Sequence, residues 1–201
     1  MTLPFLAGLF SAIIIASNFM AFKLIDVAWF TLPAAVLCYP FAFVCNDIIT
    51  ELFGFKATRK VIYSTFVFNA IVIGLLALAA VLPASTYFAD DDAFRTVFLG
   101  AGPRILLASF TAFIVSGILN SFIFDALKKT GKFPLMARSS VSTVFGIILD
   151  SVVFIGIAFA GKLPPQVLWM TMLGQVIAKF VVGVGIGTPL TWCILRWRHK
   201  R

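Results

Sequence analysis

The chain has 201 residues, 61% of them hydrophobic and only 12% charged, with a mean hydropathy of +1.06; soluble domains run at about 45–50% apolar and about 25% charged. Sixteen Lys and Arg against eight Asp and Glu give a net charge of +8, yet there is no polar domain to carry a basic surface, which excludes a water-soluble enzyme, a disordered chain and a nucleic-acid-binding module. A helix needs about 20 apolar residues to cross a hydrocarbon layer of about 30 Å, so residues 1–201 read as a single transmembrane domain with no room for a second, soluble one.

Apolar runs predict an all-α polytopic membrane protein with six spans. In chain order they are Leu3–Phe22, Leu32–Phe53, Val61–Leu82, Arg104–Ala126, Ser139–Ala160 and Val167–Leu195. The first has no basic residues before it and no cleavage site after it, so it reads as a retained helix. Lys56, Arg59 and Lys60 follow span two, Lys128, Lys129, Lys132 and Arg138 follow span four, and Arg196, Arg198, Lys200 and Arg201 follow span six. The other side carries Lys23 with Asp26, an acidic loop with Asp90, Asp91, Asp92 and Arg95, and Lys162. The positive-inside rule then places both termini in the cytoplasm. The longest loop, Pro83–Pro103, leaves room for an interfacial helix. The last span holds Gly183-Val184-Gly185-Ile186-Gly187-Thr188-Pro189, a composition that suits close helix packing before it suits a kink or a break. Ser116, Gly117 and Gly146 are further small residues fit for tight contacts, and glycine-rich faces leave a homodimer open.

Ionisable residues within a span are expensive, and each is a candidate for function. Asp47 and Glu51 lie at i,i+4 in span two, on one helix face. Asp150 lies midway along span five and Lys179 midway along span six. Polar stripes surround them: Thr171, Gln175 and Lys179; Ser142, Gly146 and Asp150, with Ser139 and Thr143 adjacent; Ser116 and Asn120; Ser17 and Asn18. Stripes on four or five helices, kept from lipid by their desolvation cost, predict one interior cavity. The competing reading makes the charges glue: Asp150 paired with Lys179, and Asp47 and Glu51 neutralising Arg138 or Lys56. As an account of every charge it is weak, because a buried ion pair is poor stability design.

Catalytic and metal chemistry find no support. The lone His199 is in the tail, and Cys38, Cys45 and Cys193 form no CxxC pair, so no zinc site follows. There is no HExxH, GxSxG or phosphate-cradling loop, and no cofactor is implied.

The stretch from Pro40 to Arg59, PFAFVCNDIITELFGFKATR, is distinctive. It resembles the P-x-x-F-x-x-x-D-x-x-x-E-x-[YF]-G-x-x-x-x-R signature of the vitamin uptake transporter family. Asn18 and Lys23 fit an early N…K pair. Arg138 to Thr143 followed by Asp150 looks like the family's R-x-x-x-S-T…D segment, and Lys179 with Thr188-Pro189 like its K…TP ending. The resemblance implies an importer, in the inner (plasma) membrane, of queuosine precursors, the deazapurines 7-cyano-7-deazaguanine and 7-aminomethyl-7-deazaguanine. Under it, Asp47, Glu51, Asn120, Asp150, Gln175 and Lys179 would bind substrate. Arg59, Arg138, Asn18 and Lys23 would gate or couple transport. Carboxylates suit the N–H edge of such a base, and Phe41, Phe43 and Phe154 are candidates to stack on its ring. The partners so implied are a small deazapurine and the bilayer, with no nucleic acid. Alternatives are a substrate-capture subunit of an ATP-driven transporter, a small ion channel and an assembly protein.

Overall fold

The computed structural model describes residues 1–21, 23–27, 30–99 and 102–199. Helix α1 spans Leu3–Met20, opened by a proline in its first turn where a missing N–H costs nothing. Strands β1 (Leu24–Val27) and β2 (Phe30–Pro33) pair antiparallel, with Leu24 opposite Pro33 and Val27 opposite Phe30. A 3₁₀ turn at Ala34–Leu37 leads into α2 (Tyr39–Val81). Then come α3 (Asp91–Leu99), α4 (Gly102–Lys129), α5 (Leu135–Phe159) and α6 (Pro165–Val182). A π-helical turn, Gly183–Gly187, joins α6 to α7 (Thr188–His199).

Five helical stretches among the described residues are long and apolar enough to cross a membrane, and the longest makes two crossings. Gly54 in α2 has φ 79° and ψ 168°, a region essentially restricted to glycine. On a straight helix, residues eight apart are separated by about 12 Å. Yet the hydroxyls of Thr50 and Thr58 lie 3.1 Å apart. Asn46 Nδ2 donates to the Gly117 carbonyl at 3.4 Å, and Ile62 packs against the same glycine. Asn46 and Ile62 stand symmetrically about Gly54, so the chain folds back there and residues 39–53 and 55–81 run as two adjacent arms. With the arms counted separately, the described residues hold six apolar helical segments, the number of spans expected from the sequence.

Boundaries shift in two places. Span two does not begin at Leu32, because Phe30–Pro33 is the second strand of the hairpin. The basic residues Lys56, Arg59 and Lys60 do not occupy a loop; they sit in the first turns of the returning arm. Within Pro83–Pro103, α3 is an amphipathic helix with Asp91 and Asp92 at its positive N-terminal end. Its Phe98 stacks on Phe94 (4.5 Å) and meets Phe19 at the end of α1 (5.8 Å). Arg104 stands at the span edge as expected and from there caps α5, donating from Nε to the Ile157 carbonyl (2.6 Å) and from Nη2 to the Ala160 carbonyl (2.5 Å).

The bundle is apolar outside and encloses polar groups beside an apolar core. Leu75, Leu78, Phe145, Met170, Leu173 and Val181 face outward, while Asn46, Asp47, Thr50, Asn69, Asn120, Ser142, Asp150 and Lys179 are buried. An apolar cluster of Leu6, Phe10, Val44, Ile48, Ile49, Val61, Ile62 and Leu195 ties α1, both arms of α2 and α7 together. Small residues then allow close approach. A Cβ on Gly146 would stand 3.2 Å from Asn120 Cβ, and one on Gly183 would stand 3.1 Å from Ile147 Cδ1. In the last span Gly183 therefore serves close packing, while Gly185 meets nothing within 4 Å, and both belong to a π-helical irregularity.

Candidate functional site

The buried polar side chains gather at two depths. Asp47 lies seven residues before the reversal at Gly54, roughly 10 Å along its helix. Asp150 lies fifteen residues into α5, roughly 22 Å from the same basic end and near the middle of the bundle.

At the middle depth, Lys179 Nζ on α6 sits 2.5 Å from Asp150 Oδ2 and donates to Gln175 Oε1 at 3.1 Å. Ser116 on α4 donates to Asp150 Oδ1 at 3.3 Å. Both charged residues are buried. They form part of the wall of a cavity of about 140 Å³, of the order of the roughly 150 Å³ engineered cavity that accepts a benzene ring. Phe10, Phe43, Phe110, Phe113 and Phe154 supply apolar walls, and Asn18, Asn46, Asn69 and Ser109 add polar points. Asn18 donates to the Ile14 carbonyl and accepts from Ser109. Asn46 is tied to Gly117 and to the Ser121 hydroxyl (3.1 Å). Asn69, only 1% exposed, has no hydrogen-bond partner for its Oδ1. The cavity touches the base of the β-hairpin through Ala35, Val36 and Cys38, so it reaches toward the hairpin side of the bundle.

Nearer the basic loops, Asp47 accepts from Asn120 Nδ2 at 3.0 Å and from the Ser139 hydroxyl, which also approaches Thr188. One turn on, Glu51 is clamped by two cations: Arg138 (Nη1 to Oε2, 3.1 Å) and Lys128 (Nζ to Oε2, 3.4 Å). Lys128 also donates to the Glu51 backbone carbonyl. Arg138 lies over the fully buried Phe124 ring, 5.3 Å from its centroid. A cation flanked by a carboxylate and an aromatic face is held from two directions. This layer joins α2, α4, α5 and α7 and lies between the cavity and the basic loops.

The structure thus divides the single polar cavity expected from the sequence. Asp150, Gln175, Lys179 and Asn18 line the cavity, whereas Asp47, Glu51, Asn120 and Arg138 belong to the second layer. Asp150 and Lys179 form the pair that the glue reading anticipates, and Glu51 finds Arg138 and not Lys56. Arg59 is exposed and lies over Phe55 at 5.8 Å, away from the carboxylates. Lys23 is exposed at the foot of the hairpin, where its carbonyl accepts from Ala34. Of the stacking candidates, Phe43 and Phe154 line the cavity, and Phe41 is half-exposed on the outside. Sequence reading assigned Lys128 only a topological role, although it continues the Asn120–Phe124 face at i,i+4 spacing. Asn69, a lone amide in an apolar run, passed unnoticed.

Residues 33–194 match the vitamin uptake transporter family. Among curated proteins, the chain is 26% identical over 177 residues to the "Probable queuosine precursor transporter" of Bacillus subtilis, covering 85% of this chain and 75% of that one. It is 27% identical over 149 residues to the "Queuosine precursor transporter" of Escherichia coli, covering 73% of this chain and 64% of the relative. A "Probable queuosine precursor transporter" of Haemophilus influenzae is 29% identical over 152 residues, with 75% and 62% covered. The chain therefore spans just under two thirds of the latter two. No solved structure matches the chain. The match over most of the sequence, on a bundle of apolar crossings with a polar interior, shows that this multi-pass membrane protein, a transporter and not an enzyme, belongs to the vitamin uptake transporter family.

Proposed function

We propose that the protein imports queuosine precursors, 7-cyano-7-deazaguanine and 7-aminomethyl-7-deazaguanine, across the bacterial inner membrane, with both termini in the cytoplasm. The observation that carries this reading is the mid-bundle cavity whose wall holds a buried Asp150–Lys179 pair beside aromatic side chains, in a chain similar to relatives named as queuosine precursor transporters. Such a base is flat and apolar on its faces. Its pyrimidine edge presents N–H donors beside a carbonyl. Asp150 accepts from the donors, Lys179 donates to the carbonyl, and Gln175 orients the edge. Phe43 and Phe154 are placed to cover the ring faces.

In this reading the pair is a lock as well as a binding group, because cargo and partner compete for the same atoms. The Glu51–Arg138–Lys128 clamp and the Asp47–Asn120–Ser139 bonds form the closed gate on the cytoplasmic side. Alternating access follows when that layer separates while the hairpin side closes.

The test is uptake of labelled precursor by cells unable to make it, read as queuosine in tRNA, together with uptake by the purified chain in liposomes. Wild type restores queuosine, and Glu51→Gln, which removes the charge facing two cations, abolishes uptake while the protein stays in the membrane. Liposome uptake by the lone chain rejects a capture subunit that needs an ATPase. Ion current without precursor uptake would overturn the proposal in favour of a channel.

A further inference from the structure

Among the described residues, Asn69 is the cavity-lining amide whose oxygen is left unbonded. It comes from the returning arm of α2, which packs on α1 through the Ser11–Thr65 hydroxyl contact of 2.8 Å. Asp150 and Lys179 come from α5 and α6. The amide is 1% exposed, lines the cavity and leaves Oδ1 without a protein partner. A buried acceptor left unmade is costly and calls for an explanation; Asn120 Oδ1, Arg138 Nε and Ser151 Oγ share the condition, and of these four residues only Asn69 lines the cavity. The neighbouring polar residues do not share this condition: Asn46 is bonded through both amide atoms, and Asn18 accepts from Ser109. Asn69 therefore brings an unbonded acceptor to the cavity wall.

We propose that Asn69 is a specificity-determining residue that accepts a hydrogen bond from the pyrrole N–H of the bound base and so selects the free base over forms substituted at that nitrogen. The proposal rests on the deazapurine reading above. A deazaguanine carries two sets of donors at opposite ends of a flat ring system. When Asp150 and Lys179 take the pyrimidine edge, the ring donor that remains is the pyrrole N–H, directed away from them. An unpartnered acceptor on a different helix pair is the complement it needs. A nucleoside lacks that proton and would also carry its sugar where the amide sits. A site built to bond an N–H rejects an analogue lacking it far more strongly than an apolar pocket rejects a change of shape.

The experiment measures equilibrium binding to the purified full chain of two probes of the same shape: 7-cyano-7-deazaguanine, and its isostere in which ring oxygen replaces the pyrrole N–H. Wild type prefers the first by about 10-fold or more. Asn69→Leu, similar in size but without an acceptor, brings the two within about 2-fold, whereas Asn69→Asp, which keeps an acceptor, retains the preference. Asn69→Ala gives the same reading as Asn69→Leu should the latter not fold. A merely structural role would weaken both probes equally and leave the ratio unchanged. That result overturns the inference while leaving the cargo assignment standing. Failure of wild type to bind either probe overturns both.

Discussion

The decisive perturbation is the buried pair, because glue and binding group make opposite demands on it. Lys179→Met keeps the length of the side chain but leaves the Asp150 carboxylate in the bundle without a cation 2.5 Å away, with Ser116 at 3.3 Å as a hydroxyl donor. Removing one partner of a buried pair costs about 3–5 kcal/mol in soluble proteins. In a bilayer the separated helices find other partners, and interhelical hydrogen bonds average about 0.6 kcal/mol. An intermediate loss of about 1–3 kcal/mol in stability is the expected outcome. The double variant Asp150→Asn with Lys179→Met removes both charges and should recover most of that stability, since a neutral pair of similar volume carries no unmet desolvation. Transport separates the readings. A charged hydrogen bond to cargo is worth about 1.5–3 kcal/mol, so each single variant should weaken precursor binding about 10- to 150-fold. The double variant should stay at least as weak while melting like wild type. The assays are thermal unfolding in detergent and labelled precursor uptake at matched membrane levels. A double variant that is both stable and fully active would refute the reasoning and leave the pair as glue.

The reversal at Gly54 requires φ 79° with ψ 168°, so Gly54→Ala should cost about 1–3 kcal/mol, read as a lowered melting temperature with precursor affinity of the surviving fold unchanged. Gly146→Ala places a Cβ 3.2 Å from Asn120 Cβ and 3.6 Å from the Ser116 carbonyl; overpacking between α4 and α5 should cost about 1–3 kcal/mol. Gly74→Ala, with nothing within 4 Å, should be neutral or stabilising by up to about 1 kcal/mol. Gly185→Ala, in the π turn and equally open, should leave precursor binding intact and slow uptake in liposomes; unchanged uptake would show that the turn does not need to flex.

Spans were legible because about twenty apolar residues have few other readings. The polarity of the interior was legible because a charge in hydrocarbon must turn inward. Depth was less so. Helical spacing put Asp47 and Glu51 on one face and Ser142 and Asp150 on another, but faces alone do not say at what level two helices meet. The level depends on where α2 reverses, and a single glycine at positive φ does this without any loop composition to announce it. Three basic residues after Gly54 looked like a connecting segment and proved to be the first turns of a helix. The hairpin was hidden for the opposite reason: its strands are apolar and continuous with the next span, and residues 28 and 29 between them lie outside the described part. Asn69 was illegible because one amide among apolar neighbours forms no stripe. Its significance appears only when the cavity beside it is known.

The two polar layers share their helices, which constrains how they can move. On α2, Asn46 faces the cavity and Asp47 the gate. On α4, Ser116 reaches Asp150 and Asn120 reaches Asp47. On α5, Asp150 and Ser139 serve the two layers from one continuous helix. A rigid α5 cannot leave Glu51 and Asp47 without also displacing Asp150 from its neighbours. The last span differs, because its two functions are divided by the π turn. Lys179 lies before Gly183–Gly187, while Thr188, beside Ser139, and the buried Leu195 lie after it. A π turn breaks the regular ladder and commonly marks positions where helices carry function. Here it separates the cation of the lock from the anchored half of the span. Under the proposed function, cargo that draws Lys179 from Asp150 would move α6 about the three glycines while α7 holds its place in the core. The strain is then passed through Asp150 and α5 to Arg138 and the gate. On that proposal the ion pair needs to be only moderately stable, since the bond that would close the empty protein would have to yield to the base.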